Sequence, residues 1–233
     1  MKKLVLTTVC ALAMAGAAFA QGTVTWTSIS PAGFTAQTNA VTFSPLFGGG
    51  ASGLAGATVG NTANVANTFF YEMLYLGGSQ VSAPTTLAGL QAWHDAGLSG
   101  VNSGTGRATV SNPNTTAATV PWLTGTTDNI VLVGWSANLG STWLTVSNEL
   151  FTGSYISVLA GVNGFFGISV AGFMSPNGGD PGQTFIGGGA NAGGTPIQNT
   201  LMPMFLLPVP EPTTLALAGL GGLSLMLFRR QRK

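Results

Sequence analysis

The hydrophobic and polar positions of this chain fall into short runs, most of them with a period of two. Residues 22–29 put Val24, Trp26 and Ser28 on one side and Thr23, Thr25 and Thr27 on the other, which predicts a β-strand. A weaker alternation predicts another over 38–43, and the stretch 46–60, rich in glycine and small residues, predicts a loop. Residues 69–76 form a dense aromatic and aliphatic run between Asn67 and Gly77, too short for most helices and suited to a strand buried on much of both faces. Its one charge, Glu72, falls on the side of Phe70, Leu74 and Leu76. Over 86–96 the period changes: Leu87, Leu90 and His94 recur at helical spacing and Gly97 follows, predicting a short helix.

Further along, 107–110 and 119–123 predict short strands around a turn at Asn112, Pro113 and Asn114. Residues 129–136 carry the strongest strand signal, apolar on both faces like a central strand. In 141–151, Trp143, Val146 and Leu150 share one helical face, Ser141 is a candidate cap and Gly153 a stop. Two more strands are predicted over 155–160 and 165–173, joined by a turn at 161–164. The Gly-rich stretch 177–194 predicts a long exposed loop, and 201–207 a final strand. Strands at hairpin spacing with one or two short helices predict a mainly β ectodomain over 21–207, built as an antiparallel β-sandwich or jelly roll.

The two ends break this pattern. Lys2 and Lys3, an apolar run over 4–18, and the small residues Ala18 and Ala20 before Gln21 read as a signal peptide over 1–20, cleaved after Ala20. The expected partners of that segment are the Sec translocon and signal peptidase. Cys10, the one cysteine, lies in the middle of the apolar run after Val9, which does not suit lipid attachment. With the signal removed no thiol remains for disulfides or metals. At the other end, Val209, Pro210, Glu211 and Pro212 precede an uncharged run over 213–228, and then come Arg229, Arg230, Arg232 and Lys233. The two prolines keep the entry extended. As a helix the run reaches about 24 Å, short of a bilayer core of about 30 Å. The cations form a cytoplasmic stop, so everything before the run is expected outside.

This order of parts resembles the PEP-CTERM sorting signal of Gram-negative bacteria: the Val-Pro-Glu-Pro of 209–212, the Leu/Ala/Gly run and the basic end at 229–233. The resemblance implies a sorting segment over 208–233, recognised by an exosortase-type membrane enzyme that processes the protein for the envelope or an extracellular matrix. The ectodomain resembles a group of PEP-CTERM exoproteins at 131–136 (VLVGWS), 138–143 (NLGSTW) and 164–167 (GFFG), a likeness that implies no activity.

Charge narrows the function further. Between the two end segments, Arg107 stands against Glu72, Asp95, Asp128, Glu149 and Asp180, with no lysine. A surface of Ser, Thr, Asn, Gln and Gly does not suit nucleic acid, whose phosphates need clustered cations. The candidate chemistry is thin. His94 beside Asp95 is a single imidazole, and no Gly-x-Ser-x-Gly elbow supplies a nucleophile for it. A glycosidase-type pair would need folding to join two of the scattered acids, such as Glu72 and Glu149. Asn177 and Asp180 offer a few oxygens where calcium needs 6–8. Among the tryptophans, Trp135 and Trp143 sit on core faces, while Trp93 and Trp122 are the expected exposed pair for stacking on sugar rings. The expectation is an exported structural or interaction protein, not an enzyme, with no cofactor or metal. A carbohydrate-binding module for exopolysaccharide is the alternative, and a secreted hydrolase is a more distant one.

Overall fold

The computed structural model describes residues 21–25, 35–49, 58–61, 67–103, 108–112, 118–178, 183–187, 193–198 and 201–209, together with 220, 221 and 224. The strands are β1 (Gln21–Thr25), β2 (Thr35–Phe43), β3 (Thr58–Asn61), β4 (Phe69–Leu76), β5 (His94–Asn102), β6 (Ala108–Asn112) and β7 (Ala118–Leu123). They continue with β8 (Asp128–Ser136), β9 (Phe165–Ile168), β10 (Gly172–Met174), β11 (Gln183–Thr184), β12 (Gly194–Thr195) and β13 (Leu201–Leu206). The helices are short: α1 (Leu87–Leu90), α2 (Trp143–Thr152) and α3 (Tyr155–Val158), with 3-10 turns at Pro45–Phe47 and Ala137–Leu139. The fold is mainly β with few helices, as the strand spacing predicts.

One large sheet runs in the order β3-β2-β13-β9-β8-β4-β5-β6, with β10 beside β8 and β12 beside β10; a small one runs β11-β1-β7. Both sheets are mixed rather than wholly antiparallel, because β13 pairs parallel to β2 and β11 parallel to β1. Each parallel pair joins segments far apart in sequence, so no hairpin turn announces it.

β8 is the axis of the large sheet, and all nine of its residues are buried. Ile130 and Leu132 face a core shared with the small sheet, where Val24, Val120, Trp122 and Phe185 meet Tyr71 and Met73. Val131, Val133 and Trp135 face the opposite way, under α1, α2 and α3, against Leu90, Trp143, Val146 and Leu159. The period of two thus feeds two cores, giving three layers: helices, large sheet, small sheet. On the helical side Trp135 stacks near Phe70 and Trp143, and Trp143 on Phe166, with ring centroids 6.3, 5.9 and 6.2 Å apart. Aromatic pairs of this kind add about 0.5–1.5 kcal/mol each beyond their buried area. The Trp135 indole N–H donates to the Gly140 carbonyl at 2.8 Å, so its burial leaves no polar atom stranded.

Buried polar side chains close the gaps in the ladders. Between β9 and β10 the partner strand of β8 breaks, and the Ser169 hydroxyl accepts from the Leu132 N–H at 2.9 Å in place of a carbonyl. Asn129 holds the loop after β4: its Oδ1 accepts from Val81 N–H, and its Nδ2 donates to the carbonyls of Leu76 and Ser79. Asn102 Oδ1 accepts from the N–H groups of both Thr68 and Phe69 at 2.8 Å.

Several local expectations are corrected. The helix predicted over 86–96 is the single turn α1, capped by the Thr86 hydroxyl; His94 already belongs to β5. Gly97 does not stop a helix but takes φ +71° in a bulge of β5. Thr142 rather than Ser141 caps α2, while Gly153 ends it in the left-handed conformation as predicted. Residues 155–158 form α3 and not a strand, since Tyr155 and Leu159, four apart, are the two buried on one side. The strands around Asn112 do not form a hairpin: β6 pairs with β5, and β7 with β1 in the other sheet. The glycine-rich stretch 46–60 contains the 3-10 turn that starts at Pro45 and most of β3. The stretch 177–194 is not wholly exposed either: β11 pairs with β1 and is followed by buried Phe185 and Ile186. The signal peptide expected over 1–20 lies outside the described residues, as does most of the apolar run 213–228, within which Leu220, Gly221 and Ser224 are helical.

Candidate functional site

The place where the chain leaves the fold is built by β13. Its last residue, Leu206, pairs with Phe43 of β2 on one side and Phe165 of β9 on the other. The ladder then continues through single bonds: Ser44 N–H donates to the Leu206 carbonyl at 2.8 Å and Leu207 N–H to the Gly164 carbonyl at 2.9 Å. Leu207 is buried, and Val209 packs against the helical core cluster. Between them the Pro208 carbonyl accepts from the Tyr155 hydroxyl at 3.3 Å. That hydroxyl belongs to α3, whose ring meets Phe47 edge-on at 5.3 Å, and its burial raises its pKa above the ordinary tyrosine value. The core therefore ends within one residue of Pro210. Pro210, Glu211, Pro212 and the cations Arg229, Arg230, Arg232 and Lys233 lie outside the described residues, as do Ala18 and Ala20; Gln21 opens β1, exposed. Among the described residues no helix is long and apolar enough to cross a membrane.

A second feature is a buried carboxyl group. Glu72 of β4 pairs in register with Ser99 of β5, but Leu74 pairs with Asp95, so β5 carries a bulge over 96–98 opposite Met73 alone. Asp95 turns its carboxylate onto the Gly97 N–H at 2.7 Å. The bulge brings the Leu98 N–H and the Asp95 side chain to Glu72. Desolvation pushes the Glu72 pKa from 4.5 up to about 9, the Asp95 charge and hydrogen bond add to the rise, and the Leu98 N–H opposes it. Glu72 is thus held neutral at pH 7. Its acidic neighbour is Asp95 and not Glu149, which lies on α2 with its own pKa raised by burial. Asp128 is also buried and raised for the same reason. The Asp-x-Gly at Asp95 and Gly97 was the available signal for this turn.

The remaining candidates separate. His94 is exposed and packs on Tyr75, ring centroids 5.6 Å apart, and Tyr75 stacks on Trp122 at 5.1 Å. Trp93 and Trp122 are both buried, in opposite core clusters, so the expected exposed pair is not formed. Trp135 and Trp143 are core residues as predicted. Asn177 pairs with Thr23, whose hydroxyl donates to the Asn177 Oδ1 at 3.0 Å, while Asp180 lies outside the described residues. Among the described residues no three His, Asp or Glu side chains gather to hold a metal ion. A cavity of about 150 Å³ opens beside β13, lined by Ser44, Pro45, Pro84, Ile168, Ser169 and Phe205 among others, none charged.

The architecture defines a class: a folded, mainly β domain whose last core strand runs straight into a short C-terminal address segment. Residues 208–233 match the PEP-CTERM protein-sorting motif. The C-terminus carries this motif, which marks the chain as an exosortase substrate. Proteins with it are exported and associated with the cell envelope. No curated protein matches the chain, and no solved structure does.

Proposed function

We propose that this is an exported, exosortase-processed protein of the outer envelope or extracellular matrix, with a structural or interaction role and no catalysis. The observation that carries the reading is the junction: Leu207 is core, Pro208 is held by Tyr155, and the sorting motif starts in the same residues. Cutting the chain beyond Val209 would leave every described strand intact, so the domain is suited to a life after its tail is removed. The neutral polar composition between the end segments supports a role in assembly rather than in binding charged substrates. The carbohydrate-binding alternative loses its stated basis, because neither Trp93 nor Trp122 offers an open indole face.

The test is cell fractionation with mass mapping of the C-terminus, for the native chain and for Pro210→Ala with Pro212→Ala. The native protein is expected in the outer envelope or medium without its arginines, and the variant intact in the inner membrane. Recovery of both as intact inner-membrane protein, in a host that has the processing enzyme, would refute the reading.

A further inference from the structure

The end of the large sheet where the chain leaves is unlike the opposite end. β13 finishes there, together with the end of β2 at Phe43, the end of β8 at Ser136 and the start of β9 at Phe165. The turn from α3 into β9 lies at the same end, since Gly164 bonds to Leu207. Four large apolar side chains are exposed around this exit: Phe43 at 48 %, Ile156 at 39 %, Val158 at 44 % and Val162 at 53 %. On α3 this follows from the helical turn, with Tyr155 and Leu159 inward, Ser157 outward, and Ile156 and Val158 on the two flanks. The described segments 43–49, 67–69, 102–103, 135–140, 153–165 and 206–209 of this end contain no Lys, Arg, Asp or Glu, and α2, which joins two of them, carries one acid, Glu149. The far end holds Asp128 and the loop after β4, and exposes two large apolar side chains, Val81 and Leu123.

The length of chain beyond the fold says what lies against this surface. From Val209 to Thr213, where the apolar run begins, there are four steps, a reach of at most about 14 Å whatever the conformation. The headgroup layer on each side of the hydrocarbon is itself about 5–8 Å thick. As a helix 213–228 spans about 24 Å, about 6 Å less than the hydrocarbon core, so with its cationic end at the inner boundary Thr213 lies about 6 Å inside the outer one and Val209 at most about 8 Å above it, at the level of the headgroups. The nine residues of β8 put the opposite end roughly 25 Å further away.

We propose that the exit end is a membrane-docking face. Phe43, Ile156, Val158 and Val162 rest in the interfacial layer while residues 213–228 are in the bilayer. The segments that carry these four side chains hold no charge, which keeps the cost of desolvating ions at that boundary to the one acid of α2, Glu149. Asn163 and Ser157 beside the apolar residues are suited to the headgroups. The Tyr155 bond to Pro208 orients α3 toward the lipid. The proposal rests on membrane insertion of the sorting segment, and its test separates the two.

The full chain with Cys10→Ala is reconstituted into vesicles of phosphatidylethanolamine and phosphatidylglycerol. Single cysteines are placed by Val162→Cys or Ile156→Cys at the exit, Thr124→Cys or Ser79→Cys at the far end, and Leu220→Cys in the run. Each carries a polarity-sensitive fluorophore and is challenged with nitroxide lipid. The expected result is several-fold stronger quenching at 162 and 156 than at 124 and 79, with quenching at 220. Quenching at 220 but equally weak quenching at both ends overturns the docking face and leaves the anchor. No quenching at 220 overturns both. An emission shift at 162 that follows protein density rather than nitroxide lipid assigns the face to a second copy and overturns the proposal.

Discussion

Glu72→Gln probes the buried carboxyl group most directly. In the folded chain Glu72 titrates near 9, and in the unfolded chain near its ordinary 4.5. Below 4.5 both states hold the proton and the group does not affect stability. As pH rises from 4.5 towards 9 the unfolded chain releases its proton while the folded one keeps it, so stability falls through that window. Each pH unit costs about 1.4 kcal/mol, which makes about 4 kcal/mol between pH 5 and pH 8. That is a large part of a typical stability of about 5–15 kcal/mol. Glutamine has nearly the same shape and cannot ionise, so the variant is expected to lose this slope and to be the more stable protein at pH 8. With a urea m-value of about 2 kcal/mol/M, the native midpoint should drop by about 2 M from pH 5 to pH 8 relative to the variant. Asp95→Asn, which removes the neighbouring charge but not the burial, should keep part of the slope. The assay is urea unfolding followed by tryptophan fluorescence at a series of pH values. Parallel midpoints for native and Glu72→Gln across pH 5–8 would refute a neutral Glu72 and with it the account of the β5 bulge.

Three other substitutions test the packing. A methyl group at Gly167 would run into the carbonyl of Pro203 in β13, backbone against backbone, so Gly167→Ala is expected to destabilise by about 1–3 kcal/mol, read as a fall in thermal midpoint of several degrees. Asn129→Ala leaves the N–H of Val81 and the carbonyls of Leu76 and Ser79 without their partner; a loss of about 1–3 kcal/mol and faster proteolysis in the loop after β4 should follow. Trp122→Ala is expected to cost about 3–5 kcal/mol in unfolding experiments without selectively removing any glycan binding, and an unchanged midpoint with lost binding on a glycan array would contradict its burial.

Much of the fold was legible because one strand is so strongly patterned. The run of Ile, Val, Leu and Trp in 129–136 is apolar on both faces, and β8 is the buried axis between two cores. The 69–76 run likewise matches β4 to the residue. Pattern failed where the partner of a segment is distant. Residues 155–158 have the β-branched composition of a strand, but the burial of Tyr155 and Leu159 against the helical core selects a turn of helix. Nothing local reveals that β13 would lie parallel to β2, or that Gln183 and Thr184 would pair with β1, since those choices are made by strands more than a hundred residues away. The sorting motif was legible in full, because its recognition depends on the order of parts along the chain and not on a fold. What sequence did not reveal is its junction, where Tyr155, more than fifty residues upstream, holds Pro208.

The order of strands carries a consequence for biogenesis. The N-terminal strands β2 and β3 join the rest of the large sheet through β13, the last of the described strands to be made. A chain threaded outward from its N-terminus cannot complete the described sheet until Leu206 has emerged, directly ahead of the sorting segment. Maturation of the domain and arrival of its address are thereby synchronised, and a prematurely terminated polypeptide would lack both the keystone strand and the means of being delivered.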